Sequence, residues 1–164
     1  LSSFAANRSI MTPAINQLIR LGVHHKLHEY IHDPKAASYG TEAAEKLAVN
    51  AHRVFKTLVV DTGQNILAVA ILPVNQQLNL KLVAKALNVK KVTMADPVMV
   101  NRCTGYVLGG ISPVGQKRAL TTIIDASANA QKSVYVSGGR RGLEIELTAY
   151  DLSRVTNGSF AVIT

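Results

Sequence analysis

Tryptophan is absent from this 164-residue chain, cysteine occurs once, at Cys103, and aromatic residues make up only 5% of it. A single thiol excludes an intramolecular disulfide and a cysteine-rich zinc site, and it fits a reducing, cytoplasmic setting. With so few rings, a core has to be assembled from Val, Ile, Leu and Ala, within an apolar fraction of 48%. No apolar run approaches the ~18–20 residues that a membrane-spanning helix needs, so no membrane partner is expected. The chain also lacks internal repeats, low-complexity segments, P-loop or Rossmann glycine spacings and the serine-hydrolase elbow. Acidic residues are in short supply: ten Asp and Glu stand against eighteen Lys and Arg, a formal net charge of +8. Such an excess favours a polyanionic partner, nucleic acid first, although solubility alone tolerates a charge of this size. The charges are scattered instead of gathered in a tail, which points to a folded basic face.

What the sequence does have is a glycine-rich stretch from Thr104 to Arg118 that holds four of its eleven glycines. Glycine lets a backbone take positive φ and approach a ligand without a Cβ in the way, while Pro113 restrains Ser112 to an extended conformation. A loop held in one shape, with N–H groups from Gly109 to Ser112 exposed toward an anionic or carbonyl oxygen, is the functional reading. A glycine-rich connection between two strands is the plainer one. Lys117 and Arg118 follow directly and would attract phosphate.

Around this stretch the expected elements run as follows. Residues 1–10 read as a tag or disordered extension, and residues 11–164 as one domain. Thr12 and Pro13 open a helix that Gly22 stops. His24 to Ile31 alternates like a strand, with Lys26, His28 and Tyr30 on one side. A loop around Asp33-Pro34 carries Tyr39 at its end, and Thr41 can cap a short helix. Val54 to Val60 and Ile66 to Leu72 form an apolar hairpin. Asn79, Asp96-Pro97 and Thr148 with Asp151 each cap a later helix, and short strands recur near Thr121, Val134, Leu143 and Phe160. Without a repeating βαβ period, the expectation is an α/β fold: one compact domain with a mixed, partly antiparallel sheet, curling toward a barrel and flanked by helices.

Three features bear on chemistry. Four of the five histidines cluster at 24, 25, 28 and 32, but only His28 and His32 share a strand face and no cysteine or acidic cluster completes a set, so no metal is expected. Cys103, on a predicted helix next to the glycine-rich stretch, is the one tempting candidate for a nucleophile. Lys56 interrupts an otherwise apolar strand, where an ammonium is costly unless it serves a ligand or snorkels to the sheet edge.

The segments Ala95-Asp96-Pro97, Gly109-Gly110-Ile111-Ser112-Pro113 and Tyr135-Val136-Ser137-Gly138-Gly139-Arg140-Arg141-Gly142-Leu143 resemble the YbaK family of Cys-tRNA(Pro) deacylases. These are free-standing relatives of the editing domain inserted in bacterial prolyl-tRNA synthetases. The resemblance extends from Met11 to the C-terminus. It implies that Lys56 matches the family's essential lysine and Gly109 its functional loop glycine. It also implies a substrate pocket at Tyr30, Tyr39, Thr57, Gly110, Ile111, Ser112, Pro113, Ser137, Gly138 and Glu144, with no cofactor. Tyr39 departs from the usual phenylalanine and Glu144 from a frequent aspartate, while Cys103 stands where serine is common, which argues against a thiol nucleophile there. Lys117, Arg118, Arg140 and Arg141 flank the two glycine turns and are the candidate tRNA-phosphate contacts. The implied reaction uses the cysteinyl thiol of the mischarged tRNA to attack its own ester, with Cys-tRNA(Pro) as substrate, prolyl-tRNA synthetase as a further partner and a monomer as the working form. Two alternatives remain open on the sequence: an editor of an alanyl or seryl ester, and a non-catalytic tRNA- or synthetase-binding module.

Overall fold

The apolar hairpin is the centre of the molecule. In the computed structural model, which describes residues 11–164, β2 (Phe55–Asp61) and β3 (Leu67–Pro73) pair antiparallel with Lys56 opposite Leu72. All of β3 is buried, which is why its sequence shows no alternation. β5 (Thr121–Asp125) runs parallel to β3, β8 (Ser159–Ala161) parallel to β5, and β4 (Thr93–Met94) lies antiparallel on β2. The resulting order is β4-β2-β3-β5-β8. A second, wholly antiparallel sheet has the order β1-β7-β6, from β1 (Lys26–Glu29), β6 (Val134–Ser137) and β7 (Leu143–Leu147). A lone parallel bridge from Val54 to Tyr135 links the two at the start of β2, and the sheets do not close into a barrel. The expected α/β fold with a mixed, partly antiparallel sheet is what forms. The expectation for residues 1–10 lies outside the described residues.

Of the five α-helices among the described residues, four begin at a side-chain cap. In α1 (Pro13–Arg20), Thr12 Oγ1 accepts from Ile15 N–H at 3.3 Å while Ala14, Ile15 and Leu18 turn inward. Asn79 caps α3 (Leu80–Leu87), Asp96 caps α4 (Pro97–Thr104), and Thr148 caps α5 (Ala149–Thr156) through Asp151 N–H at 3.1 Å. α2 (Tyr39–Lys46) departs from expectation, because Ser38 and not Thr41 precedes its first turn. Ser38 is extended and its carbonyl accepts from Glu42 N–H at 3.1 Å, which leaves Thr41 inside the helix and makes Tyr39 its first residue. The strand expected over His24 to Ile31 also shortens. Only Lys26–Glu29 finds partners on β7, and Ile31, beyond the sheet, is 89% exposed.

Two apolar layers hold the sheets. Ile15, Leu18, Phe55, Ile71, Leu143, Ile145 and Leu152 belong to one cluster shared by both sheets with α1 and α5. Val60, Leu72, Val83 and Ile163 pack α3 on the five-stranded sheet. Each fully buried side chain of this kind contributes ~1.5–3 kcal/mol, so the aliphatic core compensates for the missing rings.

Candidate active site

The glycine-rich stretch after α4 is held from several sides. Gly105 ends the helix at φ +82°, and Lys117 and Arg118 N–H return to the Thr104 and Cys103 carbonyls. The Tyr106 hydroxyl donates to Val114 O at 2.7 Å across the loop, and Gln116 Nε2 donates to Ser112 O at 3.0 Å. Gly115, at φ +73°, sits so close to α1 that a Cβ would lie 2.5 Å from the Pro13 carbonyl carbon. Only glycine fits there. Gly109, at φ +86°, forms the inner edge of the loop.

Between this edge, the start of β2 and the end of β7 lies a cavity of about 330 Å³. Lys56, Gly109, Tyr30, Tyr39, Thr57, Ile111, Ser137 and Glu144 all line it, although they come from six separate stretches of the chain. Arg140 and Arg141 line it too. Four expected members lie elsewhere: Gly110, Ser112, Pro113 and Gly138 are buried behind the wall. Gly110 N–H is committed to Val107 O at 3.0 Å and Ser112 Oγ accepts from Val114 N–H at 3.2 Å, so these residues shape the loop from within. The expected row of exposed N–H groups is therefore shorter; Gly109 and Ile111 N–H have no acceptor among the described residues.

Lys56 is half-buried, and burial pulls its ammonium below the ordinary lysine range. No carboxylate lies within ion-pairing distance of it among the described residues. Glu144 is 8% exposed, and burial pushes its carboxyl up to about 8, so it is largely protonated at neutral pH. Burial, with the nearby Glu144, also raises the Tyr30 phenol to about 12. Three buried polar atoms of the cavity wall have no partner among the described residues: Thr57 Oγ1, Glu144 Oε2 and Arg140 Nε. Unsatisfied buried groups are costly, ~1–3 kcal/mol each, and their convergence on one cavity is what a polar ligand would relieve.

The four candidate phosphate contacts divide. Arg140 Nη2 pairs with Glu29 at 3.2 Å. Arg141 stacks on Tyr39, its Cζ 3.9 Å from the ring centre, and donates to Leu108 O at 3.2 Å. Both arginines are part of the cavity wall. Lys117 and Arg118 are exposed and do not line the cavity.

Glu42 was not anticipated from the sequence. Burial alone would raise its carboxyl, but hydrogen bonds from Asp33 N–H at 2.8 Å, Lys46 and His32 Nδ1 at 3.0 Å outweigh it and hold the group below its ordinary value. This anchor fixes the loop from Tyr30 to Tyr39 over the cavity. The available signal was a glutamate on the apolar side of α2, four residues before Lys46. His28 is likewise engaged, with Glu146 at 2.9 Å, and no group of three or more potential metal ligands occurs among the described residues.

The profile of the aminoacyl-tRNA editing domain family matches residues 33–155, and the chain belongs to that family. Editing breaks the ester between an amino acid and its tRNA, so the class is that of an aminoacyl-tRNA deacylase. Over 121 residues, 74% of each chain, the sequence is 41% identical to an Enterococcus faecalis protein described as a candidate Cys-tRNA(Pro)/Cys-tRNA(Cys) deacylase, EbsC. It is 32% identical to a proline–tRNA ligase of Shouchella clausii, matching with 96% of its own length but spanning only 29% of that larger protein. The crystal structure of a candidate trans-editing enzyme for prolyl-tRNA synthetase shares the fold, with a TM-score of 0.81 at 21% identity, covering 94% of this chain and 98% of the other. No helix among the described residues is long and apolar enough to cross a membrane.

Proposed function

We propose that this protein removes cysteine from mischarged Cys-tRNA(Pro) in trans, with the cavity beside Lys56 as its active site. The observation that carries the reading is an ammonium without a carboxylate partner, placed on the cavity wall with the Gly109 loop and with the orphaned Thr57 and Glu144 oxygens. Among the described residues no general base is hydrogen-bonded to Ser38 or Ser137, the two serines of the cavity wall, so the arrangement suits charge stabilisation and substrate folding better than direct attack.

In this mechanism the cysteinyl sulfur attacks its own ester carbonyl. The C–S bond forms, the C–O bond to the terminal ribose breaks, the thiol proton ends on the ribose oxygen, and a cyclic thiolactone leaves. Lys56, with the Gly109 and Ile111 N–H groups, stabilises the oxyanion; one such donor is typically worth ~2.7–4 kcal/mol. Glu144, Thr57 and Tyr30 hold the polar groups of the aminoacyl moiety, and Tyr39 with Arg141 limits its size. An alanyl ester has no side-chain nucleophile and a seryl hydroxyl is a far weaker one, so the chemistry itself selects cysteine. A cytoplasmic monomer that works alongside prolyl-tRNA synthetase is part of the same proposal.

The test is deacylation of Cys-, Ala- and Ser-tRNA(Pro) with identification of the products. Turnover of the cysteinyl ester with release of thiolactone is expected. Equal turnover of the alanyl ester would overturn the substrate-thiol mechanism.

A further inference from the structure

A second cavity, of about 340 Å³, opens on the small sheet and is lined by His24, Lys26, Arg53, Lys132, Ser133 and Glu146, among others. Its floor is a fixed network. Arg53 Nε donates to Ser133 O at 3.2 Å and its Nη2 to Ser133 Oγ at 2.6 Å, while its guanidinium lies over the Tyr135 ring at 5.3 Å. Glu146 accepts from the Ser133 hydroxyl and pairs with His28 at 2.9 Å and Arg53 at 3.5 Å, so both its oxygens are occupied. Lys26 stands opposite Glu146 in the β1–β7 register without reaching ion-pair distance, and Lys132 has no carboxylate partner among the described residues. Three basic side chains thus line the cavity around one carboxylate whose two oxygens are already engaged. A cation would be repelled here, and an anion would meet the Lys26 and Lys132 ammonium groups.

The cavity also has a place relative to the first one. Glu146 and Glu144 are two residues apart on β7 and therefore face the same way, ~7 Å apart along the strand. Arg53 immediately precedes Val54, which lines the first cavity. One nucleotide chain is long enough to touch both. We propose that this second cavity is a phosphodiester subsite that grips the single-stranded acceptor end of RNA, with Lys26 and Lys132 as its adaptable contacts and Arg53 as its rigid wall. This rests on the deacylase reading, which places the 3′ end of the same strand in the first cavity. It also extends the basic face: the sequence singled out the residues around the glycine turns, and Lys26 and Lys132 add cations at the opposite end of the small sheet.

The experiment measures binding of a single-stranded RNA of about a dozen nucleotides ending in CCA, across a salt series, to the parent, to Lys26→Ala/Lys132→Ala and to Lys81→Ala/Lys85→Ala. The last pair removes the same charge from the exposed side of α3. Loss of two single-strand phosphate contacts flattens the log–log salt slope by about 1.4, at ~0.7 per contact, and this is expected for the Lys26/Lys132 variant alone. Equal effects of the two double variants, or an unchanged slope in Lys26→Ala/Lys132→Ala with the fold retained by circular dichroism, would overturn the subsite. Inorganic phosphate competing as well as the RNA would overturn its assignment to nucleic acid, as would an acidic peptide binding more tightly than the RNA. Deacylation by the parent is assayed in parallel. Its absence beside the expected RNA result would remove the deacylase reading and leave the subsite standing.

Discussion

Arg141 and Tyr39 meet at the position a Gly109 side chain would occupy: the guanidinium lies 3.9 Å from the ring centre, and a Cβ on Gly109 would come within 2.7 Å of both Arg141 Nε and Tyr39 Cε2. The glycine at φ +86° is thus required twice, by its backbone and by the stacked pair that closes over it. Gly109→Val should leave the protein folded, because the loop is held elsewhere by Tyr106, Gly115 and Gln116, but should lower single-turnover deacylation at least ~100-fold through loss of the oxyanion position. Normal turnover by a folded variant would remove the loop from the site.

The same pair bears on selectivity. Tyr39→Ala takes away the surface on which Arg141 rests, a contact worth ~0.5–1 kcal/mol at an exposed site, and opens one wall of the cavity. Discrimination against larger aminoacyl esters should fall while stability changes by about that amount. Competition between Cys-tRNA(Pro) and bulkier esters checks this; unchanged selectivity would show that the wall lies elsewhere.

Glu144 makes a prediction in pH. Its carboxyl is raised by burial to about 8, so its favourable contribution is complete below the unfolded value and is lost as pH rises through the folded one. Between pH ~5 and ~8 the parent should therefore lose stability relative to Glu144→Gln, by at most ~1.4 kcal/mol per pH unit. Thermal melts of both proteins over that window should diverge in favour of the glutamine variant. Parallel curves would mean that Glu144 is ionised in the folded state.

Cys103 is 3% exposed within α4, and its sulfur lies 4.0 Å from Arg118 Nη1, outside the cavity. Cys103→Ala should cost about 1 kcal/mol of stability, the usual scale for a small core truncation, and change turnover by no more than a few-fold. A covalent adduct on this thiol during turnover would contradict a mechanism in which the attacking sulfur belongs to the substrate.

Much of this was legible before any coordinates. The caps at Thr12, Asn79, Asp96 and Thr148 act through a side chain bonding to a backbone a few residues on, a local pattern that a sequence displays directly. The hairpin of β2 and β3 was equally plain, since a buried central strand needs an unbroken apolar run. Lys56 was conspicuous for the same reason: it breaks the run. The resemblance then named eight residues that the cavity brings together. What could not be read depends on distances between remote segments. Nothing local shows that Ser112 and Pro113 turn inward, that Arg141 folds back onto Tyr39, or that Glu42 gathers His32, Lys46 and the Asp33 N–H. The cluster of Lys26, Arg53 and Lys132 draws on three separate stretches of chain and was invisible for that reason.

The most direct test of the central claim is single-turnover deacylation of Cys-tRNA(Pro) by Lys56→Ala at saturating enzyme. Lys56 has no ion-pair partner among the described residues and its burial is a cost, so the variant should fold at least as stably as the parent. Its rate should nevertheless drop by at least ~100-fold, the effect of removing one donor to a developing oxyanion. A folded Lys56→Ala protein that deacylates Cys-tRNA(Pro) within a few-fold of the parental rate would contradict the assignment of this cavity as the active site.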